Sequence, residues 1–342
     1  MKVKSILTHS KLIFALVVSV SLISGCSKGD LQYKRGQSSS ISEPEFSPET
    51  IDMPAPDSIP SIAYLTLTNS EAQVIYDQSN VIIENLRFEN IEGIAINIKE
   101  GNDITIRNCF FDKATEEAIN IESSAGITIE NCLFNGVTTG VYAMQSQSIK
   151  IKNNQFVNVR QRVGGGRGQF VQFNGVTGDG NAIEDNRGEN FPGESDPEDM
   201  ISLFSSSGTA ESPISVSDNI FRGGGPSSSG GGIMTGDYGG SYQVVENNTL
   251  LDPGQYGIAT AGGNNISLIN NKIYAKQQSF TNNPLYVWAQ AGVACSDINV
   301  KGNRVNWTNW EGEINSGWNS GNCDNTSFER TATISLEEMN VP

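Results

Sequence analysis

Apolar and polar positions alternate along this chain in short runs, and the runs return. "NVIIENLRFEN" at 80–90 is followed by "DITIRNCFFD" at 103–112 and "GITIENCLFNG" at 126–136. "SIKIKNNQFVN" at 148–158, "ISLINNKIYA" at 266–275 and "INVKGNRVNW" at 298–307 continue the series. The phrases share one polar column: Asn85, Asn108, Asn131, Asn153, Asp185, Asp218, Asn247, Asn270 and Gly302, at intervals of 22 to 33 residues. An apolar residue stands two places before each, and in most repeats another stands three places after. Period-2 alternation on either side of a polar corner predicts two short strands. A third strand block follows in each unit, as in "GIAINI" (93–98), "GVYAMQ" (140–145), "MISLFS" (200–205) and "GIATAG" (257–262). Three strands in a unit of about 22 residues cannot bury a face alone, so the units must stack into a solenoid. Stacked Asn side chains one strand apart can bond to each other and to the turn backbone.

This pattern resembles the right-handed parallel β-helix of pectate-lyase-like proteins, over about residues 79–325. The resemblance implies an all-β, single-stranded parallel β-helix of about nine or more coils. It also implies that the Asn column marks the short corner between the second and third sheets. The "GIAINI"-type strands then form the first sheet, the usual floor of a substrate groove.

Early coils keep 22–23 residues, and the next three swell to between 29 and 33. The extra residues flank the floor strands: 159–168, 187–199 and 222–231 before them, and 175–181, 206–213 and 238–242 after them. Insertions in solenoids collect on the binding face, so a groove is expected over coils 4–7. Between Asn153 and Asn271 there is no lysine. Every cation there is an arginine at a swollen corner: Arg160, Arg162, Arg167, Arg187 and Arg222. Arg grips a carboxylate with two bonds, which suits an anionic sugar. The same arginines have acidic neighbours, Glu189, Glu194, Asp196, Glu198 and Asp199, with which they can pair instead.

Asp199 leads into one floor strand, Asp237 closes the next, and Tyr238 follows it. Tyr256 occupies the Asp199 column two coils on. Gln169, Ser202 and Met234 are expected to point outward from the floor. Cys109 and Cys132 lie one coil apart in one column, a spacing that allows a disulfide without requiring one. Cys295 and Cys323, 28 residues apart, can staple the C-terminal end. Trp307, Trp310 and Trp318 are expected to cap the last coil.

The amino terminus adds an address. Lys2, Lys4 and Lys11 precede the apolar run "LIFALVVSVSLI" (12–23), and "ISGC" (23–26) follows. This resembles a bacterial lipoprotein signal (1–25) with lipid on Cys26, and Ser27 favours the outer membrane, on its periplasmic or cell-surface side. Residues 26–60, rich in Ser, Pro and Glu, read as a flexible tether before a β-helix domain over 61–342. Removing the signal's three lysines leaves 19 basic residues against 38 acidic ones, a surface unsuited to nucleic acid. The one histidine, His9, lies in the signal, which excludes His-based triads, bases and metal sites.

The expected function is a polysaccharide lyase acting on an acidic, uronate-containing chain by β-elimination. The resemblance implies Arg167, Arg187 and Arg222 as neutralisers of the uronate carboxylate, and Tyr238 or Tyr256 as base or acid. Arg160, Arg162, Gln169, Ser202 and Asp237 would bind substrate, and Glu198 with Asp199 would hold Ca²⁺. Two alternatives stand beside it. A glycoside hydrolase would use Asp199 and Asp237 as its carboxyl pair, and a non-catalytic surface lipoprotein would bind polysaccharide without cutting it.

Overall fold

A computed structural model describes residues 66–161, 168–226 and 230–331. The signal, Cys26, the tether, Arg162 and Arg167 lie outside the described residues. Among the described residues there is no helix. The chain winds through three strand positions per coil, and every pairing between strands of successive coils is parallel. Ten strands, from Thr68–Ser70 to Arg304–Trp307, stack as the third sheet. The floor and second sheets together hold nineteen, because one fourteen-residue strand, Ile233–Glu246, runs through both. That strand absorbs residues 238–242, expected as a loop, by taking positive φ at Tyr238, Gly239, Gly240 and Tyr242. Arg187–Glu189 and the end of Ile220–Arg222 are likewise strand rather than insertion. Among the described residues the first floor strand is Gln73–Tyr76, before the first repeat phrase at 80–90.

The core is a set of columns, one side chain per coil. Phe88, Phe111, Phe134 and Phe156 stack with ring centroids 4.7–5.0 Å apart. The next residue of that column is Gly188, and its place is taken from another sheet. Phe170, at the entrance to a floor strand, turns its ring into the gap, 5.2 Å from Phe156 and 5.1 Å from Phe221. A Cβ on Gly188 would lie 2.3 Å from the Phe170 ring, so glycine here makes room for a borrowed aromatic.

The polar corner differs from expectation by one residue. Asn85, Asn108, Asn131, Asn153, Asp185, Asp218, Asn247 and Asn270 all adopt φ of 53–58°, the left-handed conformation that Asn and Asp tolerate best. They make the corner and do not carry the ladder. The buried amides come next in sequence: Asn154, Asn186, Asn219, Asn248, Asn271 and Asn303. Each of the first five gives its Nδ2 to the following Oδ1 at 2.9–3.1 Å, and each of the six Oδ1 atoms also accepts the preceding coil's backbone N–H. In the earlier coils Leu86, Cys109 and Cys132 hold this position. Cys109 and Cys132 are buried free thiols, and burial pushes the Cys132 thiol well above the ordinary cysteine range. At the far end Cys295 and Cys323 are joined by a disulfide. Trp307 is buried in the core rather than spread over the end, while Trp310 and Trp318 are exposed.

Candidate functional site

The outer face of the floor sheet divides into two halves along one register row. Val74, Asn97, Asn120, Tyr142 and Gln172 follow one another over the first coils. Ser202, Met234, Ala259, Tyr286 and Trp318 continue the row. The first half is chiefly amide and phenol: Asn120 Nδ2 donates to Asn97 Oδ1 at 2.8 Å, and Asn174 Nδ2 to the Tyr142 hydroxyl at 2.7 Å. The second half is apolar and aromatic. Met234, Tyr256, Ala259 and Ala261 form a separate buried cluster with Tyr286 against it. Beside it Phe204 packs on Tyr238 at 5.0 Å, Tyr256 on Tyr286 at 5.4 Å and Trp288 on Trp318 at 5.9 Å. Tyr238 is 55% exposed and Trp318 44%, so this aromatic run reaches solvent.

Asp199 and Tyr256 sit where the halves meet. Each lies three residues before a member of the row, at the corner into its strand, with Gly231 in the coil between. Because Gly231 has no side chain, the Tyr256 ring crosses it, and a Cβ there would be 2.8 Å from the ring. The phenol thereby reaches past one whole coil and donates to Asp199 Oδ1. The Gly231 N–H donates to the same oxygen at 3.1 Å. Burial, and then the charge of Asp199, push the Tyr256 hydroxyl well above the usual tyrosine range, and Asp237 adds in the same direction. Tyr256 is therefore a fixed donor and not a base at neutral pH. Asp237, half-exposed, lies opposite Phe204 where the strand bulges.

Several expected site residues stand elsewhere. Arg187 and Arg222 belong to third-sheet strands. They flank the core column there and so point away from the coil on a different side from the floor. Arg222 pairs with Glu189 at 3.5 Å. Arg160 is exposed, with its Nε on the Glu194 carbonyl at 3.2 Å. The charge pattern could not reveal this, because strand ends and swollen corners look alike in sequence. Ser202 and Met234 lie in the outward row of the floor as expected and Gln169 at the corner before a floor strand, yet all three are buried rather than open. Glu198 accepts from Gln169 Nε2 at 3.1 Å. Glu198 and Asp199 thus have donors directed at their oxygens, and a Ca²⁺ ion would have to displace them. Among the described residues no group of three or more acidic, Cys or His side chains could hold a metal. Sequence reasoning passed over Tyr142, Gln172, Phe204, Tyr286 and Trp288. Their alternation with core residues was the available signal.

The family described as the right-handed β-helix region matches residues 55–194. The fold is the right-handed parallel β-helix. No curated protein matches the chain. Solved structures that align with this chain include PfbA, a surface adhesin of Streptococcus pneumoniae, at 18% identity and TM-score 0.46, over 69% of this chain and 61% of that one. The catalytic domain of a GH87 α-1,3-glucanase in complex with nigerose aligns at 12% identity and TM-score 0.50, over 76% of this chain and 49% of that one. An alginate lyase from Paenibacillus sp. FPU-7 aligns at 12% identity and TM-score 0.45, over 74% and 91%. This β-helix spans about half to three fifths of the length of the adhesin and glucanase chains.

Proposed function

We propose that the protein is carbohydrate-active and that a glycan lies lengthwise on the outer face of the floor sheet. The cleaved bond would sit over the Asp199–Tyr256–Asp237 group, and the reaction would be hydrolysis. One observation carries this reading: the Asp199 carboxylate is held by the buried Tyr256 phenol and the Gly231 N–H at the boundary between a polar and an aromatic strip, with Asp237 on the floor strand of the next coil. Hydrolysis of a glycosidic bond needs a carboxylic acid to protonate the leaving oxygen and a carboxylate on the other face of the ring. Asp199, 2% exposed and pinned by Tyr256 and the Gly231 N–H, is the oriented member, and half-exposed Asp237 is the one open to the surface. The aromatic run offers ring faces on which sugars stack. A glucanase domain that aligns with this chain is in complex with nigerose, which supports a carbohydrate ligand.

β-Elimination on a uronate, the reading favoured by sequence, loses two of its three neutralising arginines to the third sheet. Among the floor strands from Thr139–Met144 to Trp318–Asn319 there is no lysine or arginine. The test is incubation with a panel of neutral and acidic polysaccharides, following reducing ends and the ultraviolet absorbance of unsaturated ends separately. Reducing ends without that absorbance are expected, and Asp199→Asn or Asp237→Asn should each lower the rate by roughly 10²-fold or more. Unsaturated ends would restore the lyase reading. Tight binding without cleavage would leave a binding protein.

The lipoprotein address belongs to the same proposal. A lipid on Cys26 and a tether over 26–60 would hold the β-helix at the outer membrane, where extended glycans pass.

A further inference from the structure

Among the described residues, two buried side-chain oxygens lack any hydrogen-bond partner: Gln169 Oε1 and Gln172 Oε1. Both belong to one turn of the floor. Gln172 is in the outward row, and Gln169 stands at the corner three residues earlier, next to Asp199 in the following coil. Gln169 is 1% exposed. Its amide cannot be reversed, because Nε2 donates to Glu198 Oε2 at 3.1 Å and a flip would set the carbonyl oxygen against a carboxylate. Folded proteins rarely keep a buried acceptor without a donor, and an exception calls for a cause. Two such acceptors within three residues, beside the carboxylate group of the site, call for one shared cause.

We propose that Gln169 and Gln172 read hydroxyl groups of an uncharged sugar, so that the glycan is neutral rather than uronate-based. The inference rests on the carbohydrate reading above and narrows it. A sugar hydroxyl supplies the missing donor to an amide oxygen. A uronate also has hydroxyl donors, but its carboxylate is an acceptor only, and the Glu198 carboxylate beside Gln169 would repel it. The remainder of the polar half repeats the theme with Asn97, Asn120 and Tyr142, all uncharged. Adjacent coils are about 4.8 Å apart, close to the repeat of an extended glycan, so one sugar per coil can meet this row.

The test is calorimetric titration of the full chain with three probes: oligogalacturonide, the same oligomer after carboxyl reduction, and α-1,3-linked glucose oligosaccharides. At least one neutral probe should bind, and at least tenfold more tightly than the uronate. Gln172→Leu should weaken neutral binding about tenfold while the thermal midpoint stays level or rises, because it removes an unsatisfied buried oxygen; Gln169→Met should weaken binding about as much but lower the midpoint, because it also removes the donor to Glu198. A uronate bound as tightly as the neutral probes overturns this inference and leaves the carbohydrate reading standing. Variants that lower the midpoint without changing affinity also overturn it, since resident water would then be the donor. Binding to none of the probes overturns both.

Discussion

Asn219 gives the sharpest test of what holds the coils together. Its Nδ2 donates to the Ile183 carbonyl at 2.9 Å and to Asn248 Oδ1 at 2.9 Å. Its Oδ1 accepts the Asn186 backbone N–H and Asn186 Nδ2, both at 3.0 Å. Asn219→Leu keeps the volume and removes all four bonds. Asn186 Nδ2 still has the Ile151 carbonyl, and Asn248 Oδ1 still has the Asn219 N–H. The Asn186 N–H and the Ile183 carbonyl lose these partners in a fully buried site. At 1–3 kcal/mol for each stranded group, the substitution should cost about 3–5 kcal/mol. The control is the adjacent residue. Asp218 is exposed with φ of 57°, a conformation glycine adopts without strain. Asp218→Gly should therefore change stability by less than about 1 kcal/mol. Urea unfolding followed by circular dichroism measures both. A larger loss at Asp218 than at Asn219 would refute the assignment of the ladder to the second polar residue of each corner.

Phe170→Ala alone should cost about 3–5 kcal/mol, and adding Gly188→Phe should recover more than half by supplying the ring from the third sheet; simple additivity in a double-mutant cycle would refute the exchange. The Tyr256 phenol is held above its unfolded value of about 10, so its contribution is complete below about pH 10 and is lost as pH rises beyond it. Urea midpoints taken through that alkaline range should fall more steeply for the native protein than for Tyr256→Phe, and equal slopes would contradict the buried donor. Cys26→Ser should abolish fatty-acid labelling and release the protein from membranes; labelling that persists would rule out this lipid site.

The winding was legible because it is written in period: inward residues recur at i and i+2, and polar corners recur once per coil. That signal locates a column only to within a residue or so. It named Asn153 and Asn270, whereas the buried amides are Asn154 and Asn271. A left-handed corner and a buried ladder both favour Asn, and composition cannot separate them. The Asp199–Tyr256 alignment was visible as a shared column, but the reach across Gly231 was not, since it depends on a ring passing over a missing side chain. The arginines misled because charge density was read without sheet assignment. Arg187 and Arg222 occupy alternate positions of third-sheet strands, and only the register with Gln155, Glu189 and Ile220 shows it.

An open-ended winding has two places from which it can melt, and here they differ. The amide ladder begins at Asn154 and runs to Asn303, and a covalent bridge closes the coil beyond it. Before Asn154 the same position holds a leucine and two thiols, so those turns lack the buried amide ladder and keep only their backbone pairing, core stacking and peripheral side-chain bonds. Unzipping therefore enters from the amino-terminal side, turn by turn, and stalls where the first amide takes over. The candidate catalytic group lies downstream of that point, so the leading coils can fray while it stays assembled.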